Sequence, residues 1–388
     1  MKKFSILILL LAIFVALTVL VSCGEQDSQS TDDSSKENNE IDNKEATDES
    51  YFTFYPLDDG TYAVSCDTEL AKYLTEIIIP AEHNKKAVTK IAKRGFSDCE
   101  SLKTVIIPNT VTSIEDGAFK ECSKLTSVEI PNSVTNIGHS AFYYCTELTN
   151  IEIPDSVSSI GISVFDHCLA LESIDVDENN QNYCDIEGVL FTKDKKTVIR
   201  CPAGKSESSF SIPDGTTTIC ASAFALCSNL TSIAIPYGIT SIDTYTFAGC
   251  SKLTSIEIPN SVTSIGEYAF DGCIALESMS LPFIGNGSDK TYLGYIFGAR
   301  HPRYNKDEVP ESLKSVTVTG CTSISSVAFI HCSNLTSVVI LNDVTGIESG
   351  AFYNCSNLTI FCEAESKPDT WDENWNRSNC PVVWGYEK

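Results

Sequence analysis

One 23-residue unit, copied end to end, decides what this chain can become. From Cys99 to Cys122 it reads CESLKTVIIPNTVTSIEDGAFKEC, and from Cys122 to Cys145 CSKLTSVEIPNSVTNIGHSAFYYC. The pattern C-x-x-L-x-x-I-x-I-P-x-x-V-x-x-I-x-x-x-A-F-x-x-C returns at Cys145–Cys168, Cys227–Cys250, Cys250–Cys273 and Cys332–Cys355. A longer, looser copy precedes Cys99, with Leu74, Ile77, Ile79, Pro80, Val88, Ile91 and Phe96. Two stretches, Cys168 to Cys227 and Cys273 to Cys332, are 59 residues long, 36 more than one period. A fixed period of this size is the signature of a solenoid and outranks chain length as a guide to the fold.

Each position of the unit has a physical reading. In Leu125, Val128 and Ile130 apolar residues alternate at the end of the run, as in a short strand with one buried face. Pro131 has no amide hydrogen and stops that strand. Val134 and Ile137 make a second apolar step, Ala141 and Phe142 turn back inward, and Cys145 closes the coil. One coil buries too little apolar surface to offset its own ordering entropy. It gains stability only when neighbours cover its open faces. The expected fold is therefore a mostly β solenoid of about ten coils. Phe96, Phe119, Phe142, Phe165, Phe224, Phe247, Phe270, Phe329 and Phe352 should stack as one spine, with strands about 4.8 Å apart.

The Leu-x-x-Ile-x-Ile-Pro strand, the Ala-Phe-x-x-Cys close and the period together resemble the leucine-rich repeat, in the surface-protein variety called BspA-like or Treponema pallidum-type. The resemblance covers about Leu74 to Cys362. Departures are Leu341 in place of proline, Thr319 after its strand with a turn one residue short, and Val164 and Thr246 in place of alanine. The resemblance implies a cell-surface protein that adheres to host matrix or to other cells by binding proteins or glycans.

The rest of the chain is read around that solenoid, residues 74–362. Lys2 and Lys3, then the apolar run Phe4 to Leu20, then Leu20-Val21-Ser22-Cys23, have the layout of a secretion signal over residues 1–22. They resemble a bacterial lipoprotein signal, which implies lipidation of Cys23 and attachment to the membrane from the extracytoplasmic side. A plain membrane-spanning anchor is the alternative that the run's length allows. Residues 23–50 should be an acidic tether: Gly24 to Ser50 holds ten acids, two lysines and one large aliphatic, Ile41, too little to support a core. Residues 51–73 read as an N-terminal cap with a hairpin at Asp58-Asp59-Gly60. Residues 363–388 read as a C-terminal cap, because all three tryptophans, Trp371, Trp375 and Trp384, lie there.

The two long units place inserts at about residues 175–210 and 283–310. In the first, Val189-Leu190-Phe191, Lys193-Asp194-Lys195-Lys196 and Val198-Ile199 have a hairpin's pattern. The second mixes glycines and tyrosines and carries Arg300, His301 and Arg303, a basic cluster in a chain whose net charge is −25. That charge offers nothing to neutralise phosphates, which argues against a nucleic-acid partner.

Seventeen cysteines could suggest a disulfide framework, but nine of them hold one phase of the repeat. At that phase they read as buried, reduced, small apolar residues. Off the ladder, Cys362 and Cys380 could clamp the tail. No C-x-x-C pair, Gly-x-Ser-x-Gly, P-loop or H-E-x-x-H occurs, so no metal, cofactor or catalytic site is expected. Asp175-Val176-Asp177 starts like a calcium loop, but Asn180 and Ile186 stand where that loop needs glycine and glutamate.

The candidate ligand surface is the outward side of the first strand of each coil. Its columns include Ser127, Asn150, Ser173, Ser232, Ser255 and Ser278, and Glu129, Glu152, Asp175 and Glu257, with Arg300, His301 and Arg303 added from the second insert. Two readings of the columns stay open: a solvated polar strand face, or a broad shallow surface for a protein or glycan. A structural, envelope-organising protein without an external ligand is the alternative to adhesion.

Overall fold

A computed structural model describes residues 46–71 and 73–387. The signal segment, Cys23 and the tether as far as residue 45 lie outside the described residues. Residues 46–50, read above as the end of the tether, are fastened to the first coil. The Thr47 amide donates to the Ile78 carbonyl at 3.1 Å, and His83 meets Glu49 at 2.9 Å.

An uninterrupted coil runs through three sides. The first carries short parallel strands such as Thr104–Ile106, Ser127–Glu129, Asn150–Ile153 and Ser173–Val176. It continues after the first insert with Ser209–Ser211, Ser232–Ala234, Ser255–Glu257 and Ser278–Leu281, then Ser315–Val318, Ser337–Ile340, Thr359–Cys362 and Val382–Val383. The second side is a ladder of two-residue strands, among them Ser113–Ile114, Asn136–Ile137, Ser241–Ile242 and Ser264–Ile265. The third is the Ala-Phe-x-x-Cys arc, joined coil to coil by bonds such as Phe119 N–H to Ala141 O at 2.8 Å. Registers are offset by whole coils: Asn150 pairs with Ser173, and Ser278 with Ser315.

The solenoid runs to about 14 turns rather than ten. The surplus comes from places where the cysteine phase is absent. Each 59-residue stretch contains a full extra first-side strand, Ser209–Ser211 or Ser315–Val318. The N-terminal hairpin of Phe52–Pro56 with Tyr62–Cys66 and the tail strand Val382–Val383 extend the stack at its ends.

The apolar pattern goes inward as its spacing requires. Leu125, Val134, Ile137, Ala141, Phe142 and Cys145 are fully buried. All nine phenylalanines of the repeat are buried, but they form three runs rather than one spine. Phe96, Phe119, Phe142 and Phe165 stack at 5.4–5.9 Å between centroids. Phe224, Phe247 and Phe270 form the second run, extended by Phe297 from the second insert at 6.2 Å. Phe329 and Phe352 form the third, closed by the edge of Trp375 at 5.8 Å. The breaks fall at the inserts, where the chain leaves the repeat before the next phenylalanine arrives. Trp371, Trp375 and Trp384 pack on one another over the last coil. Among the described residues, no helix is long and apolar enough to cross a membrane.

The inserts take different forms. The first is a three-stranded antiparallel unit, Tyr183–Ile186, Val189–Thr192 and Thr197–Arg200, whose last strand pairs in parallel with Thr218–Ile219. The second is made of short helical turns, Leu293–Phe297, Pro302–Tyr304 and Asn305–Glu308.

Candidate functional site

The first-side strands present their odd residues outward because a strand alternates its faces. Ser127, Glu129, Asn150, Glu152, Asp175, Ser232, Ser255 and Glu257 are exposed, while Ser173 and Ser278 are half-buried. Neighbouring strands bring like positions into register: Glu152 stands beside Asp175, and Ser255 beside Ser278. Ser173 is partly occupied, since its hydroxyl donates to Asp175 at 2.5 Å and the turn at Gly188 lies against it.

Arg300, His301 and Arg303 are exposed but do not join these columns. The second insert carries them along the third side, where Arg300 bonds to Tyr268, the residue before Ala269-Phe270. His301 caps the turn Pro302–Tyr304 by accepting from the Arg303 amide at 3.2 Å, and the Arg303 guanidinium lies 4.6 Å from the Tyr304 ring centroid. The expected surface is thus two separate places.

The ladder cysteines do more than fill space. Each thiol within an unbroken run donates to the carbonyl of the phenylalanine one coil earlier. Cys122 reaches Phe96 O at 3.0 Å, Cys145 Phe119 O at 3.2 Å, Cys168 Phe142 O at 3.1 Å and Cys355 Phe329 O at 2.9 Å. A thiol is a weak donor small enough for this site, and it satisfies a buried carbonyl that alanine would leave with less. Burial disfavours the thiolate and pushes Cys168 and Cys273 up to about 12. Cys380 does the same for the tail, donating to Cys355 O at 3.4 Å; it and Cys362 are free thiols, so the clamp considered between them is not made.

The residue before each ladder cysteine lies in the left-handed region, with φ of +61° to +66° at Asp98, Glu121, Tyr144, His167, Leu226, His331 and Asn354. Its side chain varies because the turn, not the side chain, sets the backbone. His167 and His331 are instances of that turn position. Burial also holds His167 below the ordinary imidazole range.

Two hollows escape sequence reading because their walls come from different coils. On the third side, Lys93, Arg94, Lys120, His139 and Tyr143 surround a hollow of about 320 Å³. Within it Asp116 accepts the His139 amide at 2.9 Å, which holds its carboxyl below the usual range. On the second side, a groove of about 580 Å³ runs between Thr263 and Ser323. Among the described residues no three His, Cys, Asp or Glu side chains are placed to hold a metal ion.

A leucine-rich repeat protein from Eubacterium ventriosum ATCC 27560 is 24% identical over 87% of this chain and 94% of its own, with a TM-score of 0.55. The pneumococcal vaccine antigen PcpA is 19% identical over 87% of this chain and 96% of its own, with a TM-score of 0.50. Identities this low establish a shared fold alone. No curated protein matches the sequence. The model of the BspA type leucine rich repeat region matches residues 70–194, 201–289 and 310–369 in six copies. This chain therefore belongs to the BspA-type leucine-rich repeat family.

Proposed function

We propose that this is a lipid-anchored cell-surface protein that binds protein or glycan ligands through the outward first side of its solenoid, as an adhesin does. One observation carries the reading: Ser127, Glu129, Asn150, Glu152 and Asp175 form an ordered, exposed array of hydroxyl, amide and carboxylate groups on successive strands. Such an array suits a broad, shallow contact better than an enclosed small molecule. The lipobox-like Leu20-Val21-Ser22-Cys23 supports attachment through a diacylglyceryl thioether at Cys23, two acyl chains being enough for stable anchoring. The tether then holds the repeats away from the bilayer. The relative PcpA is described as a vaccine antigen, which is in keeping with exposure at a surface.

The test is a binding array of matrix proteins and surface glycans probed with the wild-type chain and with the triple variant Glu129→Lys, Glu152→Lys, Asp175→Lys. Saturable binding that the variant loses is the expected result. Ligands that bind both chains equally would refute the first side as the contact. Replacing Cys23 by alanine should move the protein from the membrane fraction to the medium; retention in the membrane would argue for a spanning anchor.

A further inference from the structure

The third side repeats one backbone turn and varies the side chain carried on it. Five residues before a ladder cysteine, most coils pass through the left-handed region: φ is +54° at Arg94, +63° at Gly117, +54° at Ser140 and +60° at Tyr268. In later coils Tyr245 and Tyr268 fill that position and stack at 5.1 Å. Glycine holds it at 117 and at 350. Over Gly350 the tail closes in, with Arg377 Cδ 3.9 Å from where a Cβ would stand. At Gly117, apart from its chain neighbours, such a Cβ would meet only the stems of Arg94 and Lys120 among the described residues, at 3.3 and 3.7 Å. The bare position is part of the floor of the hollow of about 320 Å³ described above.

The walls come from three coils. Lys93, Asp116 and His139 are successive copies of one repeat position, and Lys120 and Tyr143 of another. Two of the cations are engaged, Lys93 with Asp116 at 3.3 Å and Lys120 with Glu121 at 3.0 Å. Arg94 is exposed, and among the described residues its guanidinium has neither an ion pair nor a hydrogen bond. In a chain of net charge −25 this is a local surplus of positive charge. A guanidinium presents a planar fork of donors that matches a carboxylate. Asp116 sets the limit on that charge: it repels a polyanion, while its free lone pairs can accept hydroxyls. His139 Nδ1 accepts the Ile162 amide at 2.8 Å, which leaves the proton of the neutral ring on Nε2 as a donor. Tyr143, half-buried, adds an aromatic wall.

We infer that this hollow is a binding site for a single carboxylated sugar unit. The acid group pairs with Arg94, hydroxyls meet Asp116 and Ser140, and the ring lies against Tyr143. The volume is at the low end of ligand sites, which run from roughly 300 to 1,000 Å³, so it suits one ring rather than a chain. A bare anion would use Arg94 and leave the rest of the wall idle; a neutral sugar would leave Arg94 without a partner. The site lies on a different side from the strand array proposed above and does not depend on it.

The probe is the methyl glycoside of glucuronic acid, titrated into the full chain and followed by calorimetry. Saturable one-to-one binding is expected, at least tenfold tighter than that of methyl glucoside or of acetate. Arg94→Gln should weaken it at least tenfold. So should Gly117→Asn, which fills the floor with a residue that tolerates the left-handed region. The Arg94 side chain makes no hydrogen bond among the described residues, so Arg94→Gln should keep the wild-type circular dichroism spectrum and melting temperature. Absence of binding to the wild-type chain, or binding unchanged in either variant, would overturn the inference. So would methyl glucoside or acetate binding as tightly as the glucuronide. The first-side triple lysine variant should bind the glucuronide normally, so each proposal can fail while the other stands.

Discussion

The two 59-residue stretches spend the same 36 extra residues in opposite ways. The first insert interrupts the first side: between Ser173–Val176 and Ser209–Ser211 stands the hairpin unit, whose last strand keeps the second side supplied. The second leaves the first side continuous, Ser278 pairing directly with Ser315, and interrupts the second side instead. The apolar interior follows. It falls into two clusters that meet at Val189 and Leu190 in the first insert, whereas one cluster passes through the second.

The seams are keyed differently too. At the first, buried Arg200 pairs with Asp166 at 2.9 Å and donates to the carbonyls of Ser222 and Ala225 in the next coil. At the second, fully buried Asn305 accepts the Gly294 amide at 2.9 Å and donates to Ile330 O at 2.8 Å. A solenoid step lost to an insert is replaced by a side chain that reproduces its hydrogen bonds. Where the core is also cut, the replacement is charged.

Alkali should have the largest effect and should not distinguish the two seams. Cys168 opens one insert and Cys273 the other, and both thiols ionise only at about 12 when folded. Unfolded thiols ionise near their ordinary value, so between about pH 9 and 12 the folded state holds more protons. Stability is fully present below that window and falls as pH rises through it. Urea midpoints measured at pH 8, 10 and 11.5 should descend together for probes in both halves.

Arg200→Ala comes next and should separate the halves. Removing one partner of a buried ion pair costs about 3–5 kcal/mol. The urea transition should split in two, followed by hydrogen exchange on either side of residue 189; a single shifted transition would mean the seam is not the weak joint. Asn305→Ala should cost about 1–3 kcal/mol by leaving buried polar groups unpaired. Here the transition should stay single, because the core is continuous. Smallest is Cys145→Ala, inside an unbroken run, at about 1 kcal/mol for the lost bond to Phe119 O. A loss several times larger would show that the thiol's packing outweighs its hydrogen bond.

What could be read from the sequence divides along the same line. Wherever the unit is intact, position alone gives burial: Leu125, Val128, Ile130, Val134, Ile137 and Phe142 all point inward as their spacing requires. The first insert was readable in part because Val189-Leu190-Phe191 and Val198-Ile199 flank a turn. The helical turns of the second were not, since a glycine- and tyrosine-rich run of that length has no period. Nor could Arg200 be recognised as a key, because its partners Asp166, Ser222 and Ala225 are distant in sequence. The donor role of the thiols was hidden for a similar reason: the acceptor belongs to another copy. The columns of the proposed ligand surface are legible as outward positions, whereas no repeat register in the sequence says which side the insert carrying Arg300, His301 and Arg303 follows.

One small contact gives the assembly a direction. Phe119 offers its amide to Ala141 O, and its carbonyl, already accepting the Cys122 amide of its own turn at 3.2 Å, receives the Cys145 thiol as a second donor, so its amide and that second bond await the copy made after it. During synthesis the nascent stack is therefore always unfinished at its newest edge and complete behind it. Growth is vectorial, and it ends only when the tail arrives: Cys380 supplies the last thiol, to Cys355 O, and Trp375 the last ring, to Phe352. A ribosome that stalls between coils releases a chain with one raw end, whichever coil it had reached.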